Sequence, residues 1–161
     1  MTQLMVSDNE GLFVPASPET ILSAARQLRE CCWTPESIKL NQTHLAKDFL
    51  SMQLADREVE VFVALFLNNR HRLIAYEELS QGTINQSIVF PREVIRAALH
   101  HNAAAVIFAH NHPSGEVDAS DEDIKLTKRL SKALQHIDCR VLDHIIIGQQ
   151  PAFSFMESSL L

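Results

Sequence analysis

The sequence has few cysteines, no surplus of positive charge and no long apolar run. Its three cysteines, Cys31, Cys32 and Cys139, form neither a disulfide framework nor a CxxC metal knuckle. A formal net charge of −6 argues against a general electrostatic affinity for nucleic acid. No basic segment followed by an apolar stretch opens the chain, and no apolar run has membrane-spanning length. We therefore expect a cytoplasmic protein with reduced thiols and no membrane association.

The length and the local patterns predict a main domain with a small extension. The 161 residues, 46% of them hydrophobic, are enough for one domain with a core and a modest appendage. Ser17-Pro18-Glu19 predicts the start of a helix that runs to Cys31, and Trp33-Thr34-Pro35 interrupts that pattern. We expect an N-terminal helical extension over residues 1–38 and the main domain over residues 39–161.

The main domain shows the periodicities of an α/β protein. Helices are predicted from just after Thr43 to about Leu54, from Pro91 to Leu99 and from Asp121 to about His136, with Asn102 ending the second. Strands are predicted over residues 60–67, 72–77, 82–90, 103–109, 141–147 and 152–155. The first of these strands has hardly a polar break and should be buried on both faces. The expected architecture is a mixed β-sheet layered with helices.

The most informative stretch is His110-Asn111-His112-Pro113-Ser114-Gly115, followed by Ser120 and Asp123. On an extended segment, His110 and His112 face the same side. The Pro-Ser-Gly turn then lets the chain double back, so that Asp123 can approach both rings. Two imidazoles and one carboxylate leave a fourth position open on a tetrahedral zinc, as in catalytic zinc sites. The pattern predicts that His110, His112 and Asp123 bind Zn²⁺.

The same residues have plainer interpretations. Ser120-Asp-Glu-Asp123 is typical of a helix start with Ser120 as the N-cap, in which case Asp123 serves only the helix end. The triplet from His110 to His112 has the letters of an HNH nuclease but not its longer hairpin-and-helix unit. A zinc deaminase also has a zinc site on a mixed sheet, but its PCxxC element is absent from the sequence.

Three segments together resemble the RadC family, within the JAMM (JAB/MPN) group of metal-dependent proteases and isopeptidases. They are Phe90-Pro-Arg-Glu-Val94, the stretch Ala109-His-Asn-His-Pro-Ser-Gly115 with Ser120 and Asp123, and Asp143-His-Ile-Ile-Ile-Gly148. The resemblance covers roughly residues 40–161. It implies a JAMM/MPN-type, cytidine-deaminase-like fold, a zinc cofactor held by His110, His112 and Asp123, and a peptide or protein substrate.

The resemblance also implies two catalytic residues. Ser120 is similar to the serine that helps to hold the substrate oxyanion, and Glu60, directly before an apolar strand, is similar to the glutamate that transfers protons. Glu58 stays open as an alternative, because on a strand it would share the face of Glu60. The implied activity is amide hydrolysis by a metal-activated water.

The region before residue 40 sets this chain apart from longer RadC proteins. Those proteins have an N-terminal region thought to carry a helical DNA-binding motif, and too few residues precede the domain here for such a unit. A short, prophage-like member of the family is the closer comparison. We therefore expect no tight DNA binding, and the DNA-repair role that the family name implies does not follow from the sequence.

The alternative function is a non-enzymatic, DNA-repair-associated module that binds nucleic acid or protein. Its basis would be a local basic patch on the last predicted helix, formed by Lys125, Lys128, Arg129 and Lys132. Such runs are usually the solvated side of an amphipathic helix.

The remaining histidines give weaker signals. His144, inside a predicted strand, is interpreted as packed or as supporting a metal ligand. The other five have no partner spacing and receive no assignment: His44, His71, His100, His101 and His136.

Overall fold

The computed structural model describes residues 5–7, 12–24, 38–82, 89–149 and 151–161. The chain divides into two compact units, Met1–Thr34 and Pro35–Leu161. The domain boundary after residue 38 stays a prediction. Within the described residues, no helix combines the length and the apolar character needed to cross a membrane.

The first unit contains two short strands and a helix. β1 (Met5–Ser7) and β2 (Phe13–Pro15) pair antiparallel, and neither was predicted, because three residues are too few to show a periodicity. α1 is helical at residues 18–24, and the Oγ atom of Ser17 accepts a hydrogen bond from Thr20 N at 3.1 Å. The predicted N-cap is therefore confirmed. The rest of the predicted helix, with Cys31 and Cys32, lies outside the described residues.

The second unit places helices on a five-stranded sheet. Its helices are α2 (Thr43–Leu54), α3 (Pro91–His100) and α4 (Asp121–Gln135). Its strands are β3 (Val61–Leu67), β4 (Leu73–Gln81), β5 (Ala105–Asn111), β6 (Arg140–Ile147) and β7 (Phe153–Ser154). The spatial order is β4-β3-β5-β6-β7, with β5 and β6 parallel and the other pairs antiparallel. The predicted mixed α/β architecture is confirmed.

The core explains why β3 and β5 lie at the centre of the sheet. Both strands are buried along their whole length, as expected for β3 from its unbroken apolar run. Phe62, Val106 and Phe108 share one core cluster with Leu130 of α4 and Val94 of α3. Because side chains alternate along a strand, the residue after Phe108 on this face is His110. The face covered by α3 and α4 therefore leads directly to the candidate site.

Three predicted strands differ from the observed ones by more than one residue at an end. β4 continues four residues past the predicted end at Glu77, because pairing with β3 continues through polar residues that interrupt a hydrophobic pattern. β5 starts two residues later than predicted and includes His110 and Asn111. Of the predicted strand over residues 82–90, Gly82, Val89 and Phe90 belong to no strand, and residues 83–88 lie outside the described part of the chain.

Candidate metal centre

Two histidines stand at the C-terminal end of β5. His110 is the buried, strand-bound member, and it pairs with Phe62 of β3. His112 follows the strand, but its N–H still donates to Ile147 O at 2.8 Å, which continues the extended path beside β6. The Nε2 atoms of the two rings are 2.9 Å apart. The imidazoles thus face the same side, as their spacing predicts.

Asp123 reaches the histidines from the first turn of α4. Its Oδ1 atom lies 3.5 Å from His110 Nε2. Its Oδ2 atom accepts hydrogen bonds from Ser120 N at 2.9 Å and Ser120 Oγ at 2.6 Å, while Asp123 N donates to Ser120 Oγ at 3.1 Å. This is a capping box at the helix start. One oxygen of the carboxylate thus serves the helix cap while the other faces His110, so the two interpretations of Asp123 do not exclude each other.

The donor set of this cluster fits zinc. One ligand atom each from His110, His112 and Asp123 lies within 4.8 Å of the other two. Two imidazole nitrogens and one carboxylate oxygen are the kind of three-residue set found at catalytic zinc sites. His112 Nδ1 lies 2.9 Å from Glu116 O, and since a carbonyl only accepts, that nitrogen carries the proton. The Nε2 atom of His112 is then the nitrogen that faces the cluster, and its 2.9 Å approach to His110 Nε2 requires a proton or a cation between the two atoms.

Burial keeps His110 in the metal-binding form. Desolvation lowers the pKa of His110 to about 4; the Asp123 carboxylate opposes this shift and His112 adds to it. His110 is thus uncharged at neutral pH, and only the neutral ring can coordinate a metal. The fully buried His144 has its pKa lowered well below the usual value, by burial first and then by His110 and His112.

A chain of buried polar groups lies behind His110. His110 Nδ1 is 2.9 Å from His144 Nε2, and His144 Nδ1 is 2.5 Å from Thr127 Oγ1. Thr127 Oγ1 in turn donates to Asp123 O at 2.6 Å. Phe62 stacks on the His110 ring, with the planes 10° apart, and Phe155 packs against His144 at 4.6 Å between ring centroids. The position of His144 agrees with its interpretation as a residue that supports a ligand.

Asn111, between the two histidines, has a role that the sequence analysis missed. Its Oδ1 accepts from Val61 N at 2.8 Å, and its Nδ2 donates to Val59 O at 3.0 Å and to Arg57 O at 3.3 Å. These bonds fasten residues 57–61, which include both candidate glutamates, to β5. The available signal was a buried amide at the end of an apolar strand, since such a group needs hydrogen-bond partners.

Glu60 stands one residue before β3, and its carbonyl accepts from Gly82 N at 2.7 Å. Phe62, two residues later, stacks on His110. Alternation along extended chain therefore places Glu60 on the side of the histidines. The argument that put Glu58 on the same face is weakened, because β3 begins only at Val61 and residues 58 and 59 form a bend. The catalytic role of Glu60 stays a prediction.

Ser120 is exposed, but its hydroxyl is engaged. Its single hydroxyl hydrogen is donated to Asp123 Oδ2 at 2.6 Å. Donation to a substrate oxyanion therefore requires the hydroxyl to turn away from the carboxylate. The oxyanion role stays a prediction, and the structure adds this condition to it.

The end of β6 holds the loop that carries His112. Gln149 N donates to Gly115 O at 2.9 Å, which continues the pairing of the two segments beyond the strands. A Cβ atom on Gly148 would lie 2.5 Å from Gly115 O, so only glycine fits this close approach. Asp143, at the other end of the same motif, accepts hydrogen bonds from His144 N, Met156 N and Ser154 Oγ. Burial raises the pKa of Asp143 despite these bonds.

Comparison with known proteins agrees with this geometry. Residues 40–160 match the family described as the RadC-like JAB domain. The UPF0758 protein YkfG of Escherichia coli (strain K12) is 45% identical over 151 residues, which cover 94% of this chain and 95% of that protein. A UPF0758 protein of Cellvibrio japonicus is 54% identical over 122 residues, which cover 76% of this chain and 54% of the relative.

A UPF0758 protein of Ralstonia nicotianae is 48% identical over 134 residues, which cover 83% of this chain and 59% of the relative. The chain thus spans little more than half the length of the Cellvibrio and Ralstonia proteins. The matched region includes both histidines, the helix start with Asp123 and the strands that hold them. This chain belongs to the RadC-like JAB-domain family.

Proposed function

We propose that this protein is a zinc-dependent amide hydrolase, a JAMM-type peptidase or isopeptidase acting on a peptide or protein substrate. The observation that carries the proposal is the convergence of His110, His112 and Asp123, whose ligand atoms lie within 4.8 Å of one another. Membership of the RadC-like JAB family supports it. Within the described residues, no other group of three His, Cys, Asp or Glu side chains meets in this way.

The cluster would hold the metal through His110 Nε2, His112 Nε2 and Asp123 Oδ1. A bound zinc ion supplies a Lewis acid and makes water a nucleophile near neutral pH. Glu60 would accept the proton of the attacking water and return it to the leaving amine. Asn111 holds the segment that carries this glutamate against β5. Ser120 would donate its hydroxyl hydrogen to the oxyanion after turning from Asp123.

The experiment that tests this proposal is metal analysis of protein purified without chelator and without a His-tag. We expect about one zinc per chain. His110→Ala or Asp123→Ala should abolish binding, because each removes one of three ligands. His101→Ala and His136→Ala should leave the metal content unchanged. Wild-type protein that takes up no zinc even after the metal is added back would contradict the proposal.

The alternative, a non-enzymatic DNA-repair-associated module that binds nucleic acid or protein, has less support from the structure. Of the predicted basic patch, Arg129 donates to Val89 O at 3.0 Å and Lys125 lies 3.8 Å from Glu122. We propose that the protein does not bind duplex DNA tightly. A sub-micromolar affinity with a steep salt dependence, reduced when the patch is neutralised, would favour the alternative.

We also propose a cytoplasmic location. Cys139 is a buried free thiol, and burial raises its pKa to about 11, so it stays protonated and unreactive. A tagged protein found outside the cytoplasmic fraction would contradict this location.

A further inference from the structure

Three buried side chains form a row of hydrogen bonds from the candidate metal site to α4, the helix that carries Asp123. They are His110, His144 and Thr127. His110 and Thr127 are each 1% exposed and His144 is 0% exposed. Water therefore does not compete for the hydrogen bonds between them. The protons on these three side chains must therefore satisfy the hydrogen bonds among them.

The positions of these protons follow from the hydrogen bond between Thr127 and Asp123 O, because that bond can have only one direction. Asp123 O can only accept, so the hydroxyl hydrogen of Thr127 is committed to it at 2.6 Å. At 2.5 Å from the same hydroxyl oxygen, His144 Nδ1 must then be the donor. A neutral imidazole carries one proton, so His144 Nε2 has a lone pair.

The hydrogen bond between His144 and His110 then fixes the position of the proton on His110. His144 Nε2 accepts at 2.9 Å, so His110 Nδ1 must donate to it. The proton of neutral His110 is thereby kept on Nδ1. Its Nε2 atom, which faces His112 Nε2 at 2.9 Å and Asp123 Oδ1 at 3.5 Å, keeps its lone pair.

We propose that His144 is a positioning residue that, with Thr127, holds His110 in the tautomer whose Nε2 is free to coordinate a metal. Which imidazole nitrogen binds a metal is generally set by the hydrogen bond of the other nitrogen. The inference rests on the proposed function for its metal readout only. The tautomers can be measured in the protein without a metal.

The first experiment is ¹⁵N NMR of metal-free protein labelled at histidine, at a pH where both rings are neutral. The signals are assigned with the variants His144→Gln and His110→Ala. We expect the proton on Nδ1 in both His144 and His110. A proton on Nε2 of His144 in the wild-type protein would overturn the inference, and no zinc is needed for this result.

The second experiment measures zinc affinity by competition with a chromophoric chelator. His144→Leu keeps apolar volume but removes the acceptor, and the affinity should fall about tenfold to a hundredfold. His144→Gln can present its amide oxygen to His110 Nδ1 and should restore part of the loss. Thr127→Val removes the hydroxyl at nearly constant shape and should also weaken binding.

The control is His101→Leu, because His101 contacts Glu77 and not the ligands. It should bind zinc as the wild type does. A folded His144→Leu variant with wild-type zinc affinity would overturn the inference. If the wild type binds no zinc, the proposed function fails, and the NMR result alone decides the tautomer.

Discussion

The candidate metal centre has a buried side, which lies on strands, and a solvent side, which lies on a loop and a helix start. The buried side consists of His110, Asn111 and His144, which lie on β5 and β6 and hydrogen-bond to other buried protein groups. The solvent side consists of His112, Ser120 and Asp123, which lie on a loop and a helix start and are half-buried or exposed.

The two sides differ in how much the loss of a hydrogen bond costs. Bonds of the buried side have no competing water, so losing one leaves an unsatisfied group and a large cost. Bonds of the solvent side can be replaced by water or by a substrate at small cost. We therefore expect changes on the buried side to affect stability first, and changes near the solvent side to affect function or to have mild effects.

The largest expected effect is a loss of stability of the metal-free protein in acid, which comes from the buried side. The folded protein holds the pKa of His110 near 4, below the ordinary value near 6.5. Between these values the unfolded chain binds the proton more readily, so the free energy of unfolding falls as the pH is lowered through this window. The contribution is on the order of 3 kcal/mol.

Urea unfolding of metal-free protein between pH 7 and pH 4 measures this loss. In His110→Phe the pH dependence should be smaller, because that ring cannot accept a proton. His136→Ala should retain the wild-type dependence. Identical pH profiles for His110→Phe and the wild type would show that His110 does not cause the acid sensitivity.

The next largest effect is expected for Glu60, in the segment of residues 57–61 that Asn111 holds against β5. Glu60→Gln keeps the shape of the side chain and removes proton transfer, so hydrolysis should fall about a hundredfold or more while zinc and fold are retained. Glu58→Gln should be close to wild type. Steady-state rates on a peptide or isopeptide substrate found by screening measure both variants. If Glu58→Gln is the inactive one, the assignment of Glu60 is wrong.

A smaller effect is expected for Asn111 on the buried side. Asn111→Ala leaves Val61 N without its bond from the side chain, and the free energy of unfolding should fall by about 2 kcal/mol. The matched control is Asn68→Ala, since the Asn68 side chain also bonds to the backbone, accepting from Arg70 N and Arg72 N, but in an exposed turn. Chemical denaturation compares them. Equal losses would contradict the contrast between buried and exposed bonds.

The smallest effect is expected for Ser120 on the solvent side. Ser120→Ala removes an N-cap, which typically costs about 1 kcal/mol, and Ser120→Thr should keep most of it. Thermal unfolding measures the change. A loss as large as that of Asn111→Ala would mean that the solvent side contributes to stability as much as the buried side.

The sequence was sufficient for the parts of the fold and site that depend on local patterns. The apolar run of β3 and the cap-and-proline start of α1 each follow from neighbouring residues, and both are confirmed. The convergence of His110, His112 and Asp123 was also predicted, from spacing and turn residues. The family resemblance added Glu60 and Ser120, whose roles stay predictions.

The sequence was not sufficient where a partner lies far along the chain. Asn111 bonds to residues more than 45 positions away, and Thr127 reaches His144 across the core. The periodic pattern of apolar and polar residues along the sequence does not reveal which distant residues will pair. The predicted strand end at Glu77 was wrong because the pairing of β4 with β3 continues through polar residues, which interrupt the apolar pattern.

The carboxylate of Asp123, which both caps α4 and faces the histidines, makes the first turn of α4 part of the candidate metal centre. If that turn frays, Oδ2 loses Ser120 and Oδ1 moves away from the histidines at the same time. An ion that binds Oδ1 must therefore also slow the opening of the helix start. Amide hydrogen exchange at Asp123 and Ile124 should become slower on addition of zinc, so the helix end itself would report whether the site is filled.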